Sequence, residues 1–162
     1  MLRLLFTEGG NMLTVSKAGK KDIEEMCLLL QELFTLEKDF TPDWDKQRRG
    51  LEFILENPRY GILLLLKKGE EILGMANLLV TVSTAAGGKV ILLEDFIIKK
   101  SARRKGLGKY FWGEIKKLAQ KEGYARITLL VDRDNRTARG FYLSQGFKKS
   151  NMDCWRYCLH QP

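Results

Sequence analysis

The stretch LLEDFIIKKSARRKGLGKYF, residues 92–111, decides how the rest of the chain is read. It opens as a short apolar run around two acids, Glu94 and Asp95, in the manner of a strand. A basic glycine turn follows, Arg103-Arg104-Lys105-Gly106-Leu107-Gly108-Lys109, and from inside it Leu107, Phe111, Ile115 and Leu118 recur at helical spacing. A helix therefore begins in the turn. Its first N–H groups have no intrahelical acceptor and the peptide dipoles place partial positive charge there, so an anion is their natural partner. Gly106 and Gly108 let a ligand reach the backbone, and Arg103, Arg104, Lys105 and Lys109 add full charge. The stretch reads as a polyphosphate cradle beside an acid/base pair; the plain alternative is an ordinary strand-to-helix turn with solvated bases. Two other cradles are excluded. A P-loop would close on Gly-Lys-Ser/Thr, and a dinucleotide turn would carry a third glycine where Phe111 stands.

The totals narrow the chemistry further. With 162 residues, 44% hydrophobic and 30% charged, the chain has the size and composition of one globular domain. Its longest apolar run, residues 62–66, is too short to span a bilayer, so a soluble, cytoplasmic protein without a membrane partner is expected. Cys27, Cys154 and Cys158 form no CxxC pair and read as free thiols in a reducing compartment. The single histidine, His160, is the one candidate for a Ser-His-Asp triad and cannot alone build a site of several imidazoles, so both are disfavoured and no metal is expected. Any acid or base is then Asp, Glu, Tyr, Lys or an activated thiol. Residues 1–11 read as an N-terminal extension without a signal-peptide cleavage pattern, and residues 12–162 as a single domain.

In chain order, Leu13 and Val15 suggest a first strand, and Ile23, Met26, Cys27, Leu30 and Phe34 mark the buried face of a helix. Thr41-Pro42 reads as the cap and first residue of a second helix, buried through Leu51, Ile54 and Leu55 and ended by Asn57-Pro58. Residues 62–66, 72–83 and 90–98 form strand-like runs joined by turn sequences, as in an antiparallel meander. The helix over 107–122, closed by Gly123, and a strand over 127–131 make a crossover that sets the strands of Glu94 and Leu129 parallel. A helix over 135–145 and a strand from Phe147 end the chain. The charge is segregated. Residues 22–56 hold ten acids against four bases, a net of −6, while residues 99–126 hold ten bases against two acids, a net of +8.

Arg103-x-x-Gly106-x-Gly108 after an apolar strand resembles the acetyl-CoA signature of the GNAT superfamily of N-acetyltransferases. Asn135-x-x-Ala138-x-x-Phe141-Tyr142-x-x-x-Gly146-Phe147 resembles the same family's second signature. The element order is similar too, so the resemblance implies an α/β (α+β) fold: a mixed, mostly antiparallel, twisted sheet flanked by helices in the order β-α-α-β-β-β-α-β-α-β. It also implies acetyl-CoA as co-substrate and direct acetyl transfer to a primary amine.

Within the family, Leu93-Glu94-Asp95-Phe96 before the glycine turn is most similar to the spermidine/spermine acetyltransferases. In those enzymes the glutamate at the position of Glu94 is associated with removing the amine's proton, and the tyrosine at the position of Tyr142 with protonating the departing thiolate. Strand side chains alternate, so only one of Glu94 and Asp95 can face the cleft; the resemblance selects Glu94. It further implies pantetheine contacts at Phe96, Ile97 and Ile98, pyrophosphate contacts along the turn from Arg103 to Lys109, including Leu107, and further cofactor contacts at Asn135 and Phe141. Glu37 loosely matches the acceptor region and Asp39 lies beside it; with the acidic helices they point to a small cationic, polyamine-like acceptor. Aminoglycosides, amino acids and peptides are the alternative acceptors, and a CoA- or nucleic-acid-binding module the non-enzymatic one. The basic stretch would suit nucleic-acid phosphates equally, but the acidic helices oppose that partner and none is expected. Whether the chain pairs as a homodimer is left open.

Overall fold

Side chains that return every three to four residues give α1 (Ile23–Phe34) its form, and Ile23, Met26, Cys27, Leu29 and Leu30 are all buried along one side of it. A computed structural model describes residues 12–159. The expected extension, residues 1–11, and His160 lie outside the described residues. The chain divides into two compact units, one ending at Leu129 and one beginning at Leu130.

The first unit is built on a five-stranded sheet of β1 (Leu13–Lys17), β2 (Gly61–Lys68), β3 (Glu71–Ser83), β4 (Gly88–Ile98) and β5 (Ile127–Leu129), neighbours in that order. The first four pair antiparallel, as the meander requires, and β5 runs parallel to β4 with Leu93 opposite Leu129. A parallel neighbour needs a crossover, and α3 (Leu107–Lys121) supplies it. Together α1 and α2 (Trp44–Glu56) cover a core of Met26, Cys27, Leu29, Leu51, Leu63, Leu65, Met75 and Ile97. On α3, Phe111 and Ile115 are wholly buried, and the Phe111 ring lies 5.5 Å from that of Phe96. Alternation along the strands thus sends Met75 and Ile97 toward α1 and Phe96 toward α3.

Three boundaries differ from the sequence reading. The cap of α2 is Asp43, not Thr41: its Oδ1 accepts the Lys46 N–H at 3.0 Å, which leaves Pro42 outside the helix. β5 stops at Leu129, and Leu130 and Val131 are exposed beyond it. The strand expected from Phe147 is absent among the described residues, where Met152, Trp155, Tyr157 and Leu159 are exposed. A strand needs a neighbour to satisfy its backbone, and an apolar pattern does not supply one.

The second unit contains α4 (Arg136–Ser144). Asn135 caps it, Oδ1 accepting the Ala138 N–H at 3.0 Å, and Gly146 at φ 91° turns the chain away after it.

Candidate active site

Across β3 and β4, Asn77 faces Asp95 but the next residue, Leu78, faces Leu93. Glu94 is therefore the extra residue of a β-bulge, a device that re-aims one side chain out of the regular alternation. Leu93 and Asp95 on either side of it are buried, whereas Glu94 is exposed. Asp95 turns inward on the side of Met75 and Ile97 and accepts a hydrogen bond from Asn77 Nδ2 at 2.9 Å. Burial pushes its carboxyl up to about 6, against the pull of the Asn77 hydrogen bond and with a push from the charge of Glu94. Asn77 Oδ1 is buried without a hydrogen-bond partner. Of the two acids, Glu94 is the one a solute can reach.

The pairing of β4 with β5 ends at Leu93, so from Glu94 to Ile98 the strand keeps β3 as its partner while its pairing to β5 has stopped. It then enters the basic turn. The Lys99 N–H bonds the Leu73 carbonyl at 2.8 Å, Lys100–Ala102 make one turn of 3₁₀ helix, and Arg103 is extended. Arg104 at φ 62° and Gly106 at φ 77° are both left-handed. Such turns present successive backbone N–H groups to one concave side, where anions settle. Gly106 is also the N-cap of α3 and has no side chain to bond the first-turn donors of Leu107, Gly108 and Lys109. Arg104, Lys105 and Lys109 are exposed, with Lys105 Nζ 3.3 Å from the Ser101 carbonyl. Arg103 is engaged within the protein. Its Nε donates to the Ile98 carbonyl at 2.7 Å, and its guanidinium pairs with Glu32 of α1.

Between α1 and α2, Glu37 is half-buried and Asp39 exposed, in a segment where the Phe34 and Phe40 rings lie 5.4 Å apart. In the second unit, half-buried Tyr142 meets Phe141 at 5.3 Å and Phe147 at 5.4 Å, both edge to face. A separate cleft of about 380 Å³, lined by Lys21, Asp22, Glu25, Lys67, Glu70, Glu71 and Ile72, holds none of the expected site residues; the Lys67–Asp22 ion pair, 2.9 Å, forms part of its wall. Two residues of the site escaped the sequence reading. Asn77 was visible as a lone polar residue amid the apolar run of β3; Glu32 gave no signal, because its partner Arg103 is 71 positions away.

Residues 23–147 match the sequence model of the acetyltransferase (GNAT) family, and the chain belongs to that family. It is an N-acetyltransferase, of a family that uses acetyl-CoA. Among relatives, it is 29% identical over 108 residues to the uncharacterized N-acetyltransferase YhfO of Bacillus subtilis (strain 168), a match covering 67% of this chain and 71% of that protein. Among solved structures it shares its fold with a possible acetyltransferase from Clostridium difficile 630, with a TM-score of 0.83 at 19% identity over 92% of this chain and 99% of that one. It also shares it with the aminoglycoside N-acetyltransferase AAC(6')-Iy, solved in complex with CoA, with a TM-score of 0.77 at 14% identity over 96% of this chain and 100% of that one. Among the described residues no helix is long and apolar enough to cross a membrane.

Proposed function

We propose that the protein moves acetyl directly from acetyl-CoA to a primary amine, and that the acceptor is a small, polyamine-like cation. The observation that carries the reading is the bulge in β4, which exposes Glu94 on the strand that leads through the basic turn to the glycine-capped start of α3. An amine arrives as ammonium and has no lone pair until a base takes a proton; Glu94 has the position for that, directly or through water. The freed amine attacks the thioester carbonyl, and CoA departs as a thiolate. Tyr142 donates the proton that the thiolate needs. The backbone of Phe96, Ile97 and Ile98 takes the pantetheine amides, the backbone N–H groups of the turn that begins at Arg103 cradle the pyrophosphate with the exposed cations Arg104, Lys105 and Lys109, and Asn135 and Phe141 add contacts from the second signature.

For the acceptor, the support is charge. Residues 22–56 carry ten acids against four bases, and Glu37 and Asp39 lie in the loop between the two helices of this segment. Such a field concentrates a cation, and salt weakens it. Aminoglycosides are a second reading, favoured by the likeness to AAC(6')-Iy; they too are polycationic amines.

Thiol release with a panel of polyamines, aminoglycosides, amino acids and peptides tests the class. The expected outcome is the highest kcat/KM for a polycation, falling as salt rises; an acidic or neutral amine as best substrate at low salt would overturn the cationic acceptor. Tyr142→Phe is expected to lower kcat roughly 10²-fold while acetyl-CoA affinity stays within a few-fold. Near-normal turnover with chemistry rate-limiting would reduce Tyr142 to a packing residue.

A further inference from the structure

A run of ion pairs and hydrogen bonds joins α1 to the basic turn. Glu25 and Glu32 stand seven positions apart on α1, two helical turns, and so lie on one face. Glu25 Oε1 accepts from Lys99 Nζ at 3.1 Å. Glu32 accepts from the Lys100 backbone N–H at 3.3 Å and from the Arg103 guanidinium. Arg103 also donates through Nε to the carbonyl of Ile98, the last residue of β4, at 2.7 Å. A single carboxylate thus grips the link between β4 and α3 at two points, and through Arg103 it reaches the end of the strand. The pair is partly shielded, with side chains 33% and 28% exposed, so water competes with it less than with a fully solvated pair.

The geometry points to Glu32 as a positioning residue for acetyl-CoA. It keeps Arg103 against the end of β4, so that Arg103 braces the turn and leaves the phosphates to the backbone and to its exposed neighbours. The residue that follows shows why a brace is needed. Arg104 holds a left-handed conformation that residues with a side chain avoid, and such a conformation persists only where its surroundings enforce it. Arg103 fixes the chain just before it and the start of α3 fixes the chain just after. The turn is then already shaped for an anion before one arrives, which spares the binding step the ordering of a loop.

This inference rests on the acetyl-CoA reading given above, and calorimetry separates the two. Acetyl-CoA titration and steady-state kinetics on wild type, Glu32→Gln, Arg103→Ala and the double variant, with thermal unfolding in parallel, form the test. Glu32→Gln is expected to raise Kd and KM for acetyl-CoA roughly ten-fold, with kcat and the acceptor KM within a few-fold, a split that general loss of structure would not give. Arg103→Ala is expected to match it, and the double variant to be no worse than the worse single one, because both changes break one brace. Should Arg103→Ala not fold, Arg103→Lys keeps the charge but lacks the fork that reaches Ile98 and Glu32 together, and is expected to show the same loss. Tighter acetyl-CoA binding by Glu32→Gln would mean that Arg103, once released, is itself a phosphate ligand; unchanged binding would mean the pair is surface decoration. Either result overturns the brace. A folded wild type that binds no acetyl-CoA overturns the functional reading first and the brace with it.

Discussion

On the two sides of Leu129 the chain is ordered by different means. Up to that point order follows burial: Met26, Leu65, Met75, Phe111 and Ile115 are wholly removed from water. From Leu130 to Leu159 no residue is buried to that degree, and local chemistry takes over. Asn135 caps α4, Gly146 adopts the left-handed conformation beyond its end, the Phe147 N–H bonds the Tyr142 carbonyl at 3.1 Å, and three aromatic rings meet edge to face. A core spreads its stabilisation over many contacts and punishes any cavity, whereas a cap or a ring pair is worth about 1 kcal/mol and fails alone. The family's first signature stands on the buried side and its second on the locally ordered side.

The comparison breaks most visibly on large-to-small substitutions. Phe111→Ala is expected to cost about 3–5 kcal/mol, measured by denaturant midpoint, because the buried ring leaves a void under the sheet. Leu143→Ala, at a position 60% exposed on α4, is expected to stay within about 0.5 kcal/mol. Comparable losses at the two positions would erase the distinction.

Asp95 sharpens it on the buried side. Its carboxyl titrates near 6 in the folded protein against an ordinary value of 3.8, so the folded state binds the proton more tightly than the unfolded state. The resulting stability is fully present below about pH 3.8 and is lost as pH rises through about 6. Asp95→Asn keeps an acceptor for Asn77 and cannot ionise; it is expected to flatten that slope and to be more stable than wild type at pH 7, by about 1–3 kcal/mol. A variant whose pH profile still parallels wild type would show that Asp95 is charged at no cost. The cap gives a smaller and more local loss than the core ring. Asn135→Ala is expected to lose about 1 kcal/mol of local stability, seen as faster amide exchange at Ala138 with α3 unchanged.

What the sequence revealed follows the same divide between local and distant causes. The buried face of α1 and the basic turn are each written in residues a few positions apart, the crossover to β5 follows from the order of the elements, and each is legible. Thr41 and Asp43 are both good cap residues, and only the reach of the Asp43 carboxylate to the Lys46 N–H separates them. The bulge at Glu94 is invisible in one strand, since it is a mismatch between two. The Glu32–Arg103 pair joins positions 71 apart. The strand expected from Phe147 shows the opposite failure: pairing depends on a neighbour that nothing within the segment specifies.

Arg104 sets a trap for anyone seeking a heat-tolerant form of this protein. At φ 62° an arginine gives up about 1–2 kcal/mol that glycine would not, so a search for stabilising substitutions would choose glycine or asparagine there. Either change removes an exposed cation from the turn that cradles the pyrophosphate in the reading proposed above. Selection for thermal tolerance and selection for turnover at low donor concentration would then drive this one position toward different residues.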